Sequence, residues 1–208
     1  MNIDKKYYQE INENLTNTIQ DTNISAPNKK VGKVRDAYFL NDKVVMISTD
    51  RQSAFDRVLA AIPYKGAVLN SVSAWWFKKT EHLFPNHLIS TPDPNVSIVE
   101  KCTVFPVEFV VRGYITGTTD TSLWTVYNNG DREYCGNSLP EGLKKNDKLD
   151  KPMLTPTTKD KVHDRPVSRE EIIDLGLMSA EDYDLAAKMS LDLFAFGQET
   201  AKKNGLIL

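Results

Sequence analysis

Two cysteines in 208 residues are too few for a disulfide framework. Cys102 and Cys135 also lack metal-ligand spacing, so a reducing compartment and two buried or half-buried thiols are expected. A cationic excess is missing too. Lys and Arg number 26 against 28 Asp and Glu, a net charge of −2, which argues against nucleic acid as a general partner. Any anion site must therefore be a local cluster of cations. No apolar run approaches the roughly 20 residues of a membrane span, and the start, Met-Asn-Ile-Asp-Lys-Lys-Tyr-Tyr, is too polar for a signal peptide. The expected setting is cytoplasmic, with no membrane partner. His82 and His87 lack nearby ligand types, so neither is assigned to metal or catalysis. Glycine and proline, 10 of each, are too sparse for a collagen-like or disordered chain.

What is present is an ordinary soluble composition, 40% hydrophobic and 26% charged, in a chain long enough for one large domain or two interlocked small ones. Ile3, Tyr7, Ile11, Leu15 and Ile19 recur every four residues and predict an amphipathic helix packed on the core. Residues 29–40 and 43–48 flank Asn41-Asp42 and predict a β-hairpin whose first strand carries Gly32, Lys33 and Arg35. Strand alternation puts Lys33 and Arg35 on one face, where they either cover a polyphosphate or protect a solvated edge. Residues 67–80 predict a helix with Leu69, Val72, Trp75 and Trp76 inward. Residues 97–104 and 107–111 predict two strands paired across Phe105-Pro106, and a short helix within 119–127 ends at Asn128-Asn129-Gly130. Residues 131–168 show little periodicity, so they predict a long loop, functional or a mobile insertion. Ser168 with Glu171 fits a capping box, Gly176 closes that helix, and a longer helix runs from Ser179 to about Asn204 with Leu185, Met189, Leu193 and Phe196 inward.

Three stretches carry chemistry. Residues 107–118, Val-Glu-Phe-Val-Val-Arg-Gly-Tyr-Ile-Thr-Gly-Thr, place Arg112 where a strand gives way to Gly113 and Gly117. A planar fork of donors beside glycines and hydroxyls suits an oxyanion, and the alternative is a surface arginine after a strand. Asp50, Arg51 and Ser53 follow a buried-looking strand, as binding groups on a scaffold loop often do, although Asp-Arg could equally be a structural ion pair. Thr155, Thr157, Thr158, Lys159 and His163-Asp164 offer donors to anionic ligands.

Gly-Lys-Val-Arg-Asp at 32–36, Ser-Thr-Asp-Arg-Gln-Ser-Ala-Phe-Asp at 48–56, Val-Val-Arg-Gly-Tyr-Ile-Thr-Gly-Thr at 110–118 and Thr-Pro-Thr-Thr-Lys at 155–159 occur in one order. This constellation resembles the phosphoribosylaminoimidazole-succinocarboxamide synthase (SAICAR synthetase) family of purine biosynthesis. The resemblance implies an α+β fold of two lobes, antiparallel sheets with packed helices and ATP between the lobes, here an N-terminal lobe of residues 1–106 and a C-terminal lobe of 107–208. It implies ATP-dependent ligation of L-aspartate to carboxyaminoimidazole ribonucleotide, giving the succinocarboxamide, ADP and phosphate through an acyl phosphate, with Mg²⁺. Carried onto this sequence, Lys33 and Arg112 would be catalytic. Gly32, Lys33, Arg35 and Glu108 would bind ATP, while Asp50, Arg51, Ser53, Arg112, Thr118, Lys159, His163 and Asp164 would bind substrate. No metal ligand is assigned, because the family's Val-Asp-x-Lys-x-Glu-Phe-Gly strand and the acidic residues beyond it would follow the last residues of this sequence. A nucleotide- or ribotide-binding module without turnover is the alternative, and an oligomer stays open. A kinase is disfavoured, since the usual Gly-rich loop and catalytic Asp-Asn arrangement are missing.

Overall fold

Alternation of apolar and polar residues builds an antiparallel sheet in the first of two units, Met1–Thr103, and the second unit is Val104–Leu208. The structure is a computed structural model that describes residues 5–54, 57–159 and 164–208.

The first unit runs α1 (Lys5–Asn14), β1 (Lys29–Val31), β2 (Arg35–Phe39), β3 (Lys43–Ser48), β4 (Arg51–Ala54), β5 (Arg57–Ala61), α2 (Lys65–Thr80), β6 (Leu88–Asp93) and β7 (Val96–Glu100). Its main sheet has the order β1-β2-β3-β7-β6, with β4 and β5 pairing separately. The hairpin about Asn41-Asp42 is present, with Asp36 opposite Ile47 and Tyr38 opposite Val45. Its expected first strand is instead two strands, because the Gly32 N–H donates to the Arg35 carbonyl at 2.8 Å and folds the chain at Lys33-Val34. β7 pairs with β3 and β6 and not with residues 107–111. Val99 lies between Val44 and Leu88 in register, and that apolar row is buried at its centre.

Helix α2 corrects a further expectation. Leu69, Val72 and Trp75 are exposed, as is Val68, while Gly66 and Asn70 are the buried positions. The buried Asn70 finds polar partners under the helix. The Asn70 amide donates to the Pro94 carbonyl at 3.0 Å and accepts from the Ser97 hydroxyl at 2.7 Å, so the polar residue turns inward. α1 likewise leaves Tyr7 and Ile11 exposed and ends before Leu15 and Ile19, which are also exposed.

The second unit runs β8 (Val107–Glu108), β9 (Val111–Tyr114), α3 (Leu123–Asn128), β10 (Glu133–Tyr134), β11 (Asn137–Ser138), β12 (Lys148–Leu154), β13 (Thr157–Thr158), α4 (Arg169–Asp174) and α5 (Ala180–Lys203). Strands β10 to β13 therefore lie within the stretch expected as a loop; β10, β11 and β13 are too short to show a period, and β12 hides behind charged residues and Pro152 in place of a clean alternation. One cluster gathers Ile115, Leu123, Tyr127, Tyr134, Leu139 and Leu149, and a second gathers Val167, Ile172, Met178 and Tyr183. Ser122, Ser168 and Ser179 each accept a backbone N–H at a helix start, and Ser168 with Glu171 forms the full capping box. In α5, Leu185 and Leu193 are exposed, Met189 and Phe196 half-buried, and Tyr183 and Gly197 buried. Both cysteines are free: Cys102 is exposed, against expectation, and burial pushes the half-buried Cys135 thiol up to about 11. No helix among the described residues is long and apolar enough to cross a membrane.

The antiparallel sheets and packed helices of the two units make this an α+β fold.

Candidate functional site

The turn between β1 and β2 is the first candidate. A Cβ on Gly32 would lie 2.9 Å from the Arg35 carbonyl oxygen, so the close approach that folds the turn needs glycine. Lys33 is exposed at its tip and Arg35 is exposed at the start of β2, with Nη1 3.6 Å from Met46 Sδ. The two cations thus flank a tight turn and do not share one strand face.

The carbonyls of this turn are all taken up from behind. Arg51 donates through Nε to Lys33 O at 3.2 Å and through Nη2 to Gly32 O at 2.9 Å, while the Thr49 N–H and hydroxyl both reach Val34 O, at 3.0 and 2.9 Å. The same guanidinium bonds the Gln20 carbonyl and pairs with Asp36 Oδ1 at 2.7 Å. Asp36 is fully buried and also accepts from the Thr22 hydroxyl at 2.7 Å, with Lys29 Nζ 3.2 Å away. Burial alone would raise its pKa, but hydrogen bonds from Arg51, Thr22 and Lys29 hold the carboxyl below the usual range.

Asp50 and Arg51 were expected to face substrate, and the structure turns both side chains inward. The Asp50 carboxylate accepts from the Gly66 N–H at 2.9 Å, near the start of α2, and from the Ile19 N–H at 2.8 Å. Four of the donors of the Arg51 guanidinium are filled by protein acceptors. Arg51 is in an ion pair, with Asp36 and not with its neighbour, while the Asp50 carboxylate is held by two backbone N–H groups. Ser53 is half-buried in β4, opposite Val58.

The second candidate lies in the other unit, on an antiparallel ribbon. β9 pairs with β12, setting Arg112 opposite Met153, and β8 pairs with β13, setting Glu108 opposite Thr157. Between these pairings the Thr155 N–H donates to Val110 O at 2.7 Å, and beyond them the Lys159 N–H donates to Pro106 O at 3.0 Å. The strand expected over 107–111 is broken at Phe109-Val110, and Arg112 sits inside β9, not at a strand end. It is half-buried and donates through Nε to Thr155 Oγ1 at 3.0 Å, while the Thr155 hydroxyl donates to Val110 O at 3.1 Å. The two terminal nitrogens meet no hydrogen-bond acceptor among the described residues. A guanidinium fixed at Nε with both ends of its fork open suits a phosphate or carboxylate.

Thr155, 1% exposed, is expected from sequence as a donor to anionic ligands, whereas the structure makes it the anchor of Arg112. The available signal was a hydroxyl next to proline in an otherwise apolar approach, Pro-Met-Leu-Thr-Pro. Farther along the ribbon, Lys159 Nζ lies 2.6 Å from Glu108 Oε2 and 2.8 Å from Asp164 Oδ2. Hydrogen bonds to Asp164 and Glu108 raise the lysine's pKa, and with all three side chains about half exposed the cluster contributes little stability. His163 lies outside the described residues.

Thr118 is exposed on the loop after β9, and Gly117 before it has φ +118°. A Cβ at Gly117 would fall 2.3 Å from Ser122 Cβ, the N-cap of α3. Gly117→Ala is expected to lower stability by more than the roughly 1 kcal/mol of an ordinary glycine effect, through both the clash and the left-handed backbone. Urea unfolding checks this, and a midpoint equal to the parent would exclude it.

A cavity of about 630 Å³ in this unit is lined by Asn137, Leu143, Leu149, Lys151 and Met153 among others, and by none of the expected site residues. Among the described residues no three His, Cys, Asp or Glu side chains group as a metal site, and no step is assigned to Mg²⁺.

The family model described as SAICAR synthetase matches residues 28–208. Phosphoribosylaminoimidazole-succinocarboxamide synthase of Legionella pneumophila (strain Lens) is 57% identical over 190 residues, covering 91% of this chain and 61% of its own length. The chloroplastic enzyme of that name from Vigna aconitifolia is 54% identical over 199 residues, covering 93% and 58%. The solved SAICAR-synthase from Saccharomyces cerevisiae, complexed with SAICAR, is 28% identical with a TM-score of 0.75, covering 89% of this chain and 67% of its own. The chain thus spans about three-fifths of the length of the curated relatives it matches.

Proposed function

This chain belongs to the SAICAR synthetase family, and from that premise we propose that it forms part of a ligase joining L-aspartate to carboxyaminoimidazole ribonucleotide with cleavage of ATP. A carboxylate is a poor electrophile, so its oxygen first attacks the γ-phosphorus of ATP, releasing ADP and leaving an acyl phosphate. The aspartate amine then attacks the acyl carbon, loses a proton, and inorganic phosphate departs with the new C–N bond in place. Catalysis of such a sequence is chiefly placement of anions against fixed cations.

The observation that carries this reading is the Arg112 guanidinium, fixed by Thr155 with its fork open. Arg112, in β9, holds the phosphate or carboxylate of the ribotide, and the Thr118 hydroxyl, on the loop after that strand, is a second contact. The turn at Gly32 receives the polyphosphate of ATP, with Lys33 and Arg35 as its cations, and Glu108 lies toward the adenosine. Lys159 and Asp164, at the end of the ribbon, serve as ligand contacts, His163 is assigned the same role, and Ser53 lines the substrate pocket. Asp50 and Arg51 serve through the scaffold and not by touching substrate. Two free cysteines and the absence of a cationic excess support a cytoplasmic setting without a nucleic-acid partner.

The test incubates the intact protein with ATP, Mg²⁺, the carboxylated ribotide and aspartate. ADP release that requires both co-substrates, with succinocarboxamide formed in equal amount, is the expected result. Tight ribotide binding without ADP release would overturn the proposal.

A further inference from the structure

A phosphate approaching a tight turn meets two kinds of backbone dipole, N–H groups that attract it and carbonyl oxygens that repel it. Three successive carbonyls, those of Gly32, Lys33 and Val34, are bonded from one side by Arg51 and Thr49. Arg51 is 8% exposed and belongs to the next motif of the chain, so its charge is not itself offered to a ligand. Asp36, which closes the turn's own motif, takes that charge at 2.7 Å. The Gly-Lys-Val-Arg-Asp and Ser-Thr-Asp-Arg segments are therefore one device, in which the second points the carbonyls of the first into the protein.

We propose that Arg51, seated by Asp36, is a positioning residue for the turn. It fixes residues 32–34 with their carbonyl oxygens withdrawn, so that the face flanked by Lys33 and Arg35 can take a nucleoside polyphosphate. This rests on the reading of the turn as the ATP phosphate site. A lysine at 51 would keep the positive charge, but one ammonium cannot span Gln20 O, Gly32 O, Lys33 O and Asp36 at once. The substitution therefore separates geometry from charge.

The experiment compares Arg51→Lys, Thr49→Val and Lys33→Met in the intact protein, measuring KM for ATP, KM for the ribotide, kcat and the thermal midpoint. Arg51→Lys is expected to raise KM for ATP on the order of 10- to 100-fold, with the ribotide KM within about twofold. Thr49→Val removes only the hydroxyl bond to Val34 O and is expected to raise KM for ATP roughly two- to fivefold, which keeps the test in force if the lysine variant fails to fold. A merely structural loss lowers the folded fraction, and hence kcat, and moves neither KM. If Lys33→Met raises KM for ATP while Thr49→Val and any folded Arg51→Lys do not, the positioning role is overturned and the ATP site stands. If all three leave KM for ATP unchanged, the phosphate-site reading fails and the positioning role falls with it.

Discussion

Arg112→Ala is expected to lower kcat/KM for the ribotide by roughly 10²- to 10³-fold while hardly changing the stability of the protein. The asymmetry follows from the bonds the side chain makes. Among the described residues it contributes one hydrogen bond, from Nε to Thr155, of about 1 kcal/mol. Toward a ligand it offers a charged fork, and removing one such contact in a preorganised site costs about 2.7–4 kcal/mol. Arg112→Lys is expected to recover only a small part of the loss, since an ammonium cannot hold Thr155 and present two further in-plane donors. Steady-state kinetics with the ribotide varied and a urea melt measure the two quantities, and titration calorimetry gives the ribotide affinity directly. Parent-like ribotide affinity in Arg112→Ala would return the residue to a surface arginine.

The largest stability effect is expected at Asp36. Asp36→Asn keeps the shape but strips the charge that balances a buried Arg51, and breaking one partner of such a pair typically costs about 3–5 kcal/mol. The pH dependence has a definite sign. Hydrogen bonds from Arg51, Thr22 and Lys29, working against burial, hold the folded Asp36 pKa below its unfolded value of about 3.9. Its contribution is therefore complete above that unfolded value and disappears as pH falls through the lower folded one. Urea unfolding of parent and Asp36→Asn from pH 7 to pH 2 should show a difference that is constant at the upper end and narrows only below about pH 4. A difference that instead shrinks near neutrality would assign the effect to another group.

The residues that could be read from sequence alone are those whose signal is local. The Asn41-Asp42 hairpin, the serine caps at 168 and 179 and the span of α2 all rest on neighbours within a few positions, and each is where it was expected. Arg112 stood out as a candidate because its type and its glycines stand together. Its anchoring did not, since Thr155 lies 43 positions away and meets it only when β9 pairs with β12. Periodicity misled at α2, where Asn70 finds partners in Pro94 O and Ser97 and faces in, while Trp75 faces out. Asp50 and Arg51 show the same limit. Residue type announces a charged group, and only the fold says whether its acceptors are ligand or protein.

Arg51 joins Gln20, the turn at 32–33 and Asp36 through one side chain. The five-residue motif from Gly32 to Asp36 is consequently not a portable cassette. Transplanted onto the tip of a foreign hairpin, it would arrive with its carbonyls undirected and its aspartate in search of a cation. An engineer wishing to move this turn would have to carry residues 19–22 and 48–51 with it.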